Sequence, residues 1–257
     1  MSDVAHNFGS GGWSFTPSVV EVFDQHVVAN VPHYNVVQEV VAHLSDWLAP
    51  AGATVVDFGA STGTTTEMIA LRHPDRSLHF HLYDTEAAML DAARDKHSLR
   101  KSLSSHSWNY HLEDVTVAPT RHKNADLTLS LFTLQFLPPH KRRDALLALR
   151  DSARNGTGAI VIAEKVEQPS AFWQEVANEA TWDYKSSAGV DADTIRAKAR
   201  TLRGVLVPLP EDAIVPLLAS SGWSNAVCVW RWHQWGVWAA TADPNFALEE
   251  ANYGKEG

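Results

Sequence analysis

From Ala53 onward the chain alternates short β-branched or apolar runs with stretches of helical spacing, and such alternation is the signature of a parallel sheet covered by helices on both faces. Thr54-Val-Val-Asp57 reads as a buried strand, and Thr64 to Arg72 as a helix that His73-Pro74-Asp75 stops. Leu78 to Tyr83 gives a second strand, Glu86 to Arg94 a helix, Trp108 to Leu112 a third strand and Ala125 to Leu131 a fourth. Pro138-Pro139 opens a helix that runs to about Arg154, the turn Asn155-Gly-Thr-Gly158 ends it, and Ala159 to Ala163 is a fifth strand. After a helix from Asp212 to Ser220, the strands Ala226 to Trp232 and Trp235 to Thr241 close tightly through His233-Gln234, and this pair should complete the sheet in antiparallel fashion. The expected class is α/β and Rossmann-like, with a mostly parallel seven-stranded sheet and an antiparallel last strand.

Two segments fall outside this alternation. Apolar spacing at Val19, Val22 and Phe23, then at Val36, Val37, Val40, Val41 and Leu44, predicts two helices ahead of the first strand. Ser170 to Leu209 carries helical patterns from Phe172 to Lys185 and from Ala192 to Arg203 around Ser186-Ser-Ala-Gly189, and reads as an insertion over the sheet's functional edge. At 257 residues and 45% hydrophobic the chain fits one domain: an N-terminal helical cap over 1–50, a cofactor-binding core over 51–169, the insertion over 170–210, a completing helix and strands over 211–242, and a tail over 243–257. No apolar run is long enough for a membrane span, no secretion signal is evident, and Cys228 is the one cysteine, so a cytoplasmic protein is expected. A net charge of −9 argues against a nucleic acid as a high-affinity partner. The basic runs Lys141-Arg142-Arg143 and Arg196, Lys198, Arg200, Arg203 read as solvated helix faces.

The strongest chemical signal is the buried strand ending in Asp57 and running into Gly59-Ala60-Ser61-Thr-Gly63 before a helix. Small residues there let backbone approach a ligand and point amides into the crevice at the strands' carboxyl ends. The second strand ends in Tyr83-Asp84, placing a carboxylate where it can accept from both ribose hydroxyls, and Asp114 ends the third. A dinucleotide would want glycine where Ser61 stands, and no Gly-Lys-Ser/Thr follows for a phosphate loop. S-adenosylmethionine has no phosphate but carries hydroxyls, an amine and an adenine edge, and a site rich in carboxylates suits it.

With that cofactor in view, the chain resembles the carboxy-S-adenosylmethionine synthase family, which is built on the class I methyltransferase fold. The resemblance spans most of the chain: Gly12-Trp13-Ser-Phe15 with Val22-Phe23-Asp24, Val31-Pro32-x-Tyr34, Asp57-x-Gly59-x-Ser61-x-Gly63, Phe132-Thr-Leu-Gln-Phe-Leu-Pro-Pro139, Glu164-Lys165, Lys185 with Gly189, Lys198, Gly204 to Leu209, and the aromatic end from Trp230 to Trp238. It implies an enzyme that binds S-adenosylmethionine and prephenate to form the carboxylated cofactor, and a homodimer with the insertion near its interface. It further implies that Tyr34, Gly59, Ala60, Ser61, Asp84, Thr85, Asp114 and Val115 line the cofactor, with Thr85 standing where the family shows asparagine. Three positions depart from the pattern: Leu131 replaces an asparagine near the cofactor, Val190 a tyrosine, and Ala199 the arginine that pairs with the new carboxylate.

That departure divides the functional reading, because a buried carboxylate without a cation is costly. Either Arg200 or Arg203 substitutes for the missing arginine, or the chain uses S-adenosylmethionine directly as a methyltransferase acting on an unidentified small-molecule acceptor. Methyl transfer is the favoured expectation, with carboxy-S-adenosylmethionine synthesis and a non-catalytic cofactor-binding module as alternatives. No catalytic residue is named by the sequence. Tyr184, Lys185, Lys198, Arg200 and Arg203 are candidates for an anion-binding wall over the cofactor. His79 and His81 share a strand face without a third ligand, so no metal is expected, and Trp230, Trp232, Trp235 and Trp238 read as packing rings.

Overall fold

A computed structural model describes residues 17–114 and 124–246. Two helices lead, α1 (Pro17–Asn30) and α2 (Tyr34–Leu48), followed by β1 (Thr54–Phe58), α3 (Thr64–Arg72), β2 (His79–Asp84), α4 (Ala87–Ser98), β3 (Ser107–Leu112), β4 (Leu127–Leu131), α5 (Pro139–Ser152) and β5 (Ala159–Glu167). The insertion folds as α6 (Ala171–Ser187) and α7 (Ala192–Thr201), and a two-residue strand β6 (Leu209–Pro210), α8 (Ile214–Ser220), β7 (Ser224–Trp232) and β8 (Trp235–Thr241) complete the described residues. No helix among them is long and apolar enough to cross a membrane.

The sheet runs in the order β3-β2-β1-β4-β5-β8-β7, with β6 paired to the end of β5. The first five strands are mutually parallel, whereas β8 lies antiparallel to both β5 and β7. Strand side chains alternate between the two faces. Val55, Leu127, Leu129 and Val161 pack against Val37 and Val41 of α2, Ile69 of α3 and Leu90 of α4. Val56, Ile160 and Ile162 face the opposite side, against Leu146 and Leu149 of α5 and Leu218 of α8. Because the strand order reverses between β1 and β4, the loops after them diverge and leave a crevice at the strands' carboxyl ends.

Lys141, Arg143, Arg196, Arg200 and Arg203 of the two basic runs are exposed as their composition suggests, whereas Arg142 is not. Arg142 is 2% exposed, and its guanidinium donates to the carbonyls of Leu137, Gln135 and Val207. It thereby ties the loop after β4 to the end of the insertion, which is a use that carbonyls distant in sequence make available. The four tryptophans of the last two strands pack within the chain: Trp235 and Trp238 are buried, and Trp230 and Trp232 lie 6.4 and 5.0 Å from the His33 ring.

Candidate active site

The crevice is a cavity of about 480 Å³ walled by the ends of β1, β2, β4 and β5, by α1 above, and by α6 and α7 of the insertion. The loop after β1 shapes its floor. Gly59 N and Ala60 N both donate to Tyr83 O at 2.9 and 3.0 Å, Ser61 N donates to Asp84 Oδ2 at 2.8 Å, and Gly63 N donates to Ala60 O. These amides are therefore consumed within the protein rather than aimed into the crevice as the sequence suggested. A loop whose amides are engaged in this way cannot cradle a pyrophosphate, so the geometry disfavours a dinucleotide on grounds independent of the glycine spacing.

The carboxylates gather on this side. Asp84 accepts from Ser61 N through Oδ2 and from Glu86 N through Oδ1 at 3.0 Å. A carboxylate has about four lone-pair sites, so lone pairs stay available for hydroxyl donors. Burial raises the Asp84 carboxyl above its usual range, against the pull of those amides. Asp57 is 3% exposed, and burial, helped by the charge of Asp84, pushes it up to about 7. Glu86, Glu113 and Asp114 continue the acidic rim, and Thr85 lines it with a hydroxyl. Tyr34 opens α2 directly after His33, which sits in the left-handed region at φ 56°. Its hydroxyl bonds Thr64, and burial first, then Asp24 and Asp57, raises its pKa. Ser61 and Phe132, at φ 51° and 57°, are non-glycine residues in the left-handed region, and both line the cavity; such conformations collect at functional sites.

The opposite wall is basic. Lys165 at the end of β5, Lys185 on α6 and Lys198 on α7 all line the cavity. Burial lowers Lys165, burial and then the charge of Lys165 lower Lys185 to about 8, and burial and then Lys185 lower Lys198 to about 7. His26 of α1 meets Lys198, with Nε2 2.6 Å from Nζ. Between the two charged walls lie Met89, Leu131, Phe132, Leu202 and Leu206. A donor set of this kind fits a ligand that has ribose hydroxyls and a cationic centre but no phosphate.

Of the residues singled out from sequence, Tyr34, Asp57, Gly59, Ala60, Ser61, Asp84, Thr85, Asp114, Leu131, Lys185 and Lys198 meet around this one cavity. Gly63 stands behind it, at φ 69°, where a Cβ would come within 2.7 Å of the His97 ring. Tyr184 faces away, packing on His33 at 5.2 Å. Val115 and the Gly12 to Phe15 motif lie outside the described residues. His26 and Lys165 were not singled out for the site. Lys165 had a signal, since it lies two residues past the buried run Ala159 to Ala163, at the same edge as Asp57 and Asp84.

A family profile described as a methyltransferase domain matches residues 56–159. The carboxy-S-adenosyl-L-methionine synthase of Hahella chejuensis is 30% identical over 221 residues, covering 84% of this chain and 87% of that protein. The chain belongs to the carboxy-S-adenosyl-L-methionine synthase family. The Campylobacter curvus protein of the same name is 27% identical, with 86% and 90% covered. Among solved structures, an O-methyltransferase family protein from Burkholderia thailandensis superposes with a TM-score of 0.62 at 14% identity, covering 88% of this chain and 60% of that one. A TehB-like S-adenosylmethionine-dependent methyltransferase from Corynebacterium glutamicum does so at 0.54 and 16%, covering 89% and 100%. These likenesses show the methyltransferase fold.

The three positions that the resemblance set apart, 131, 190 and 199, fall in different places. Leu131 lines the cavity, Ala199 lines a separate surface pocket with Trp182, Ile195, Arg196, Arg200 and Arg203, and Val190 lines neither. The two arginines considered as substitutes thus share the outer pocket with Ala199.

Proposed function

We propose that this S-adenosylmethionine-dependent transferase is a methyltransferase whose acceptor is a small anionic molecule. The observation that carries the reading is the division of one cavity into a carboxylate side, from Asp57, Asp84 and Asp114, and a lysine side, from Lys165, Lys185 and Lys198. S-adenosylmethionine supplies an electrophilic methyl group on a sulfonium centre. Asp84 is the acceptor for its ribose hydroxyls, while Tyr34, Asp57, Asp114 and the Gly59 to Ser61 turn complete that side. The lysines hold the acceptor's negative charge, and α1 with the insertion keeps water out. Methyl transfer draws much of its rate from placing a nucleophile about 3 Å from the methyl carbon, so the arrangement needs no dedicated base to be productive.

Family membership supports a second reading, formation of carboxy-S-adenosylmethionine from S-adenosylmethionine and prephenate, with the same lysines as counter-charges. Leu131, the one of the three departing positions that lines the cavity, weighs against it. Mass spectrometry of the nucleosides after incubation with S-adenosylmethionine, with and without prephenate, separates the two. Methyl transfer predicts S-adenosylhomocysteine on adding an acidic small-molecule extract and no carboxylated cofactor. A cofactor heavier by a carboxylate, formed only with prephenate, overturns the first reading. A homodimer belongs to the same proposal: Phe172, Trp173 and Trp182 on α6 are 67%, 54% and 42% exposed, a surface suited to a second copy, and sedimentation equilibrium tests it.

A further inference from the structure

Helix α1 roofs the cavity along one stripe. Phe23, His26, Val27, Asn30 and Val31 all line it, at the spacing that puts residues on one helix face. Asp24 is not among the lining residues, because the next position along a helix is turned by about 100°. Its carboxylate reaches sideways instead. Oδ1 accepts from Thr62 Oγ1 at 2.5 Å and from Thr64 Oγ1 at 3.4 Å, and Oδ2 accepts from Lys96 Nζ at 2.7 Å. Lys96 Nζ in turn lies 3.4 Å from Thr62 Oγ1 and 3.1 Å from Thr64 Oγ1, so these side chains close on one another.

The partners of Asp24 belong to the cofactor side. Thr62 and Thr64 flank Gly63 in the turn between β1 and α3, both line the cavity, and Thr64 bonds the Tyr34 hydroxyl. Lys96 sits on α4, the helix that follows Asp84. α3 begins at Thr64 with no side-chain cap of its own, so the helix dipole also favours a carboxylate beside its first turn. The other flank of α1 meets the lysine side, where His26 Nε2 is 2.6 Å from Lys198 Nζ. Two positions along a helix are about 200° of turn, so Asp24 and His26 reach opposite walls with the roof stripe between them.

Exposure separates this contact from an ordinary stabilising one. The Asp24 side chain is 47% exposed and that of Lys96 22%, and an ion pair so open to solvent contributes little to folding. What it controls is where α1 sits. We propose that Asp24 is a positioning residue for the cofactor: by holding Thr62, Thr64 and Lys96 it keeps α1 seated over the cavity, and so slows the escape of bound S-adenosylmethionine without touching it. The proposal rests on the placement of the cofactor in this cavity, and it holds for methyl transfer and for carboxylate capture alike.

The test is the dissociation of radiolabelled S-adenosylmethionine from the full chain after a chase of unlabelled cofactor, set beside calorimetric affinity and the urea midpoint. Asp24→Ala is expected to raise the dissociation rate about tenfold, the size of one lost hydrogen bond to a charged group. Asp24→Asn, which keeps one oxygen for Thr62, should fall between. Thr62→Val alone should also speed escape, but should add nothing in the Asp24→Ala background, where its partner is already gone. Arg72→Ala removes an ion pair with Asp46 outside the cavity; it measures a purely structural loss and should leave the rate unchanged. Dissociation as slow from both Asp24 variants as from the parent overturns the proposal, as does equal acceleration in Arg72→Ala or a full effect of Thr62→Val on top of Asp24→Ala. Asp84→Ala keeps the two readings apart: unchanged affinity there means that the cofactor lies elsewhere and the proposal falls with its placement, whereas an effect at Asp84 with none at Asp24 sinks the role of Asp24 alone.

Discussion

Gly59→Ala should destabilise the protein through two separable costs. Gly59 sits at φ +75°, and a Cβ built there would strike Thr133 Oγ1, with Thr133 Cγ2 at 2.5 Å and Cβ at 2.9 Å. An L-residue in the left-handed region costs about 1–2 kcal/mol, and forcing a methyl into occupied space costs about 1–3 kcal/mol. Together these predict a loss of about 2–5 kcal/mol, readable as a shifted urea midpoint at constant slope. Thr133→Gly removes the three atoms nearest the new methyl, so in a double-mutant cycle it should return most of the steric part, leaving a coupling of about 1–3 kcal/mol. Costs that add to within about 0.5 kcal/mol would show that Thr133 is not what excludes a side chain at 59. A Gly59→Ala protein as stable as the parent would refute the backbone argument as well.

Asp84→Ala should weaken S-adenosylmethionine binding by calorimetry about 10- to 100-fold, the loss of one or two hydrogen bonds to a charged acceptor; unchanged affinity would mean that the ribose is held elsewhere. Asp57→Asn tests the buried carboxyl at about 7. A raised carboxyl contributes stability that is complete below its unfolded value near 4 and is lost as pH climbs to about 7. The amide should therefore gain on the parent by about 2 kcal/mol between pH 5.5 and pH 8, being some 1.5 units at about 1.4 kcal/mol each, and equal urea midpoint differences at the two pH values would contradict it. Arg200→Ala and Arg203→Ala, singly and together, should leave ligand affinity in the cavity within twofold, because both side chains line the outer pocket with Ala199; a tenfold loss would place one of them at the site.

Elements whose signals are local could be read from sequence, and contacts between distant segments could not. The helix Thr64–Arg72 and the strand Trp235–Thr241 were predicted to the residue, since proline, glycine and periodicity mark their ends. Asp57 and Asp84 could be placed together because parallel strands in register deliver their last residues to one edge. The same rule extends to Lys165 on β5. The allocation of the loop amides depends on Tyr83 O and Asp84 Oδ2, partners some 23 residues or more away in sequence, and periodicity says nothing about them. The spacing in α1 announces a buried face without saying what it covers, so His26 could not be connected to Lys198, 172 positions on.

Helix geometry decides which residues of the insertion can act. At 100° per residue, positions four apart share a face and adjacent ones do not. Lys198 and Leu202 look into the cavity, while Ile195, Ala199 and Arg203 look into the outer pocket. An arginine placed at 199 would thus add charge to the outer face and leave this cavity's counter-charges where they are. For a carboxylate inside the chain's own cavity, the available cations are Lys165, Lys185 and, when protonated, Lys198. Bringing Arg200 inward would need α7 to turn, and that turn would carry Lys198 away from His26. Methyl transfer and carboxylate capture are therefore alternatives at one set of lysines, Lys165, Lys185 and Lys198, which line the same cavity.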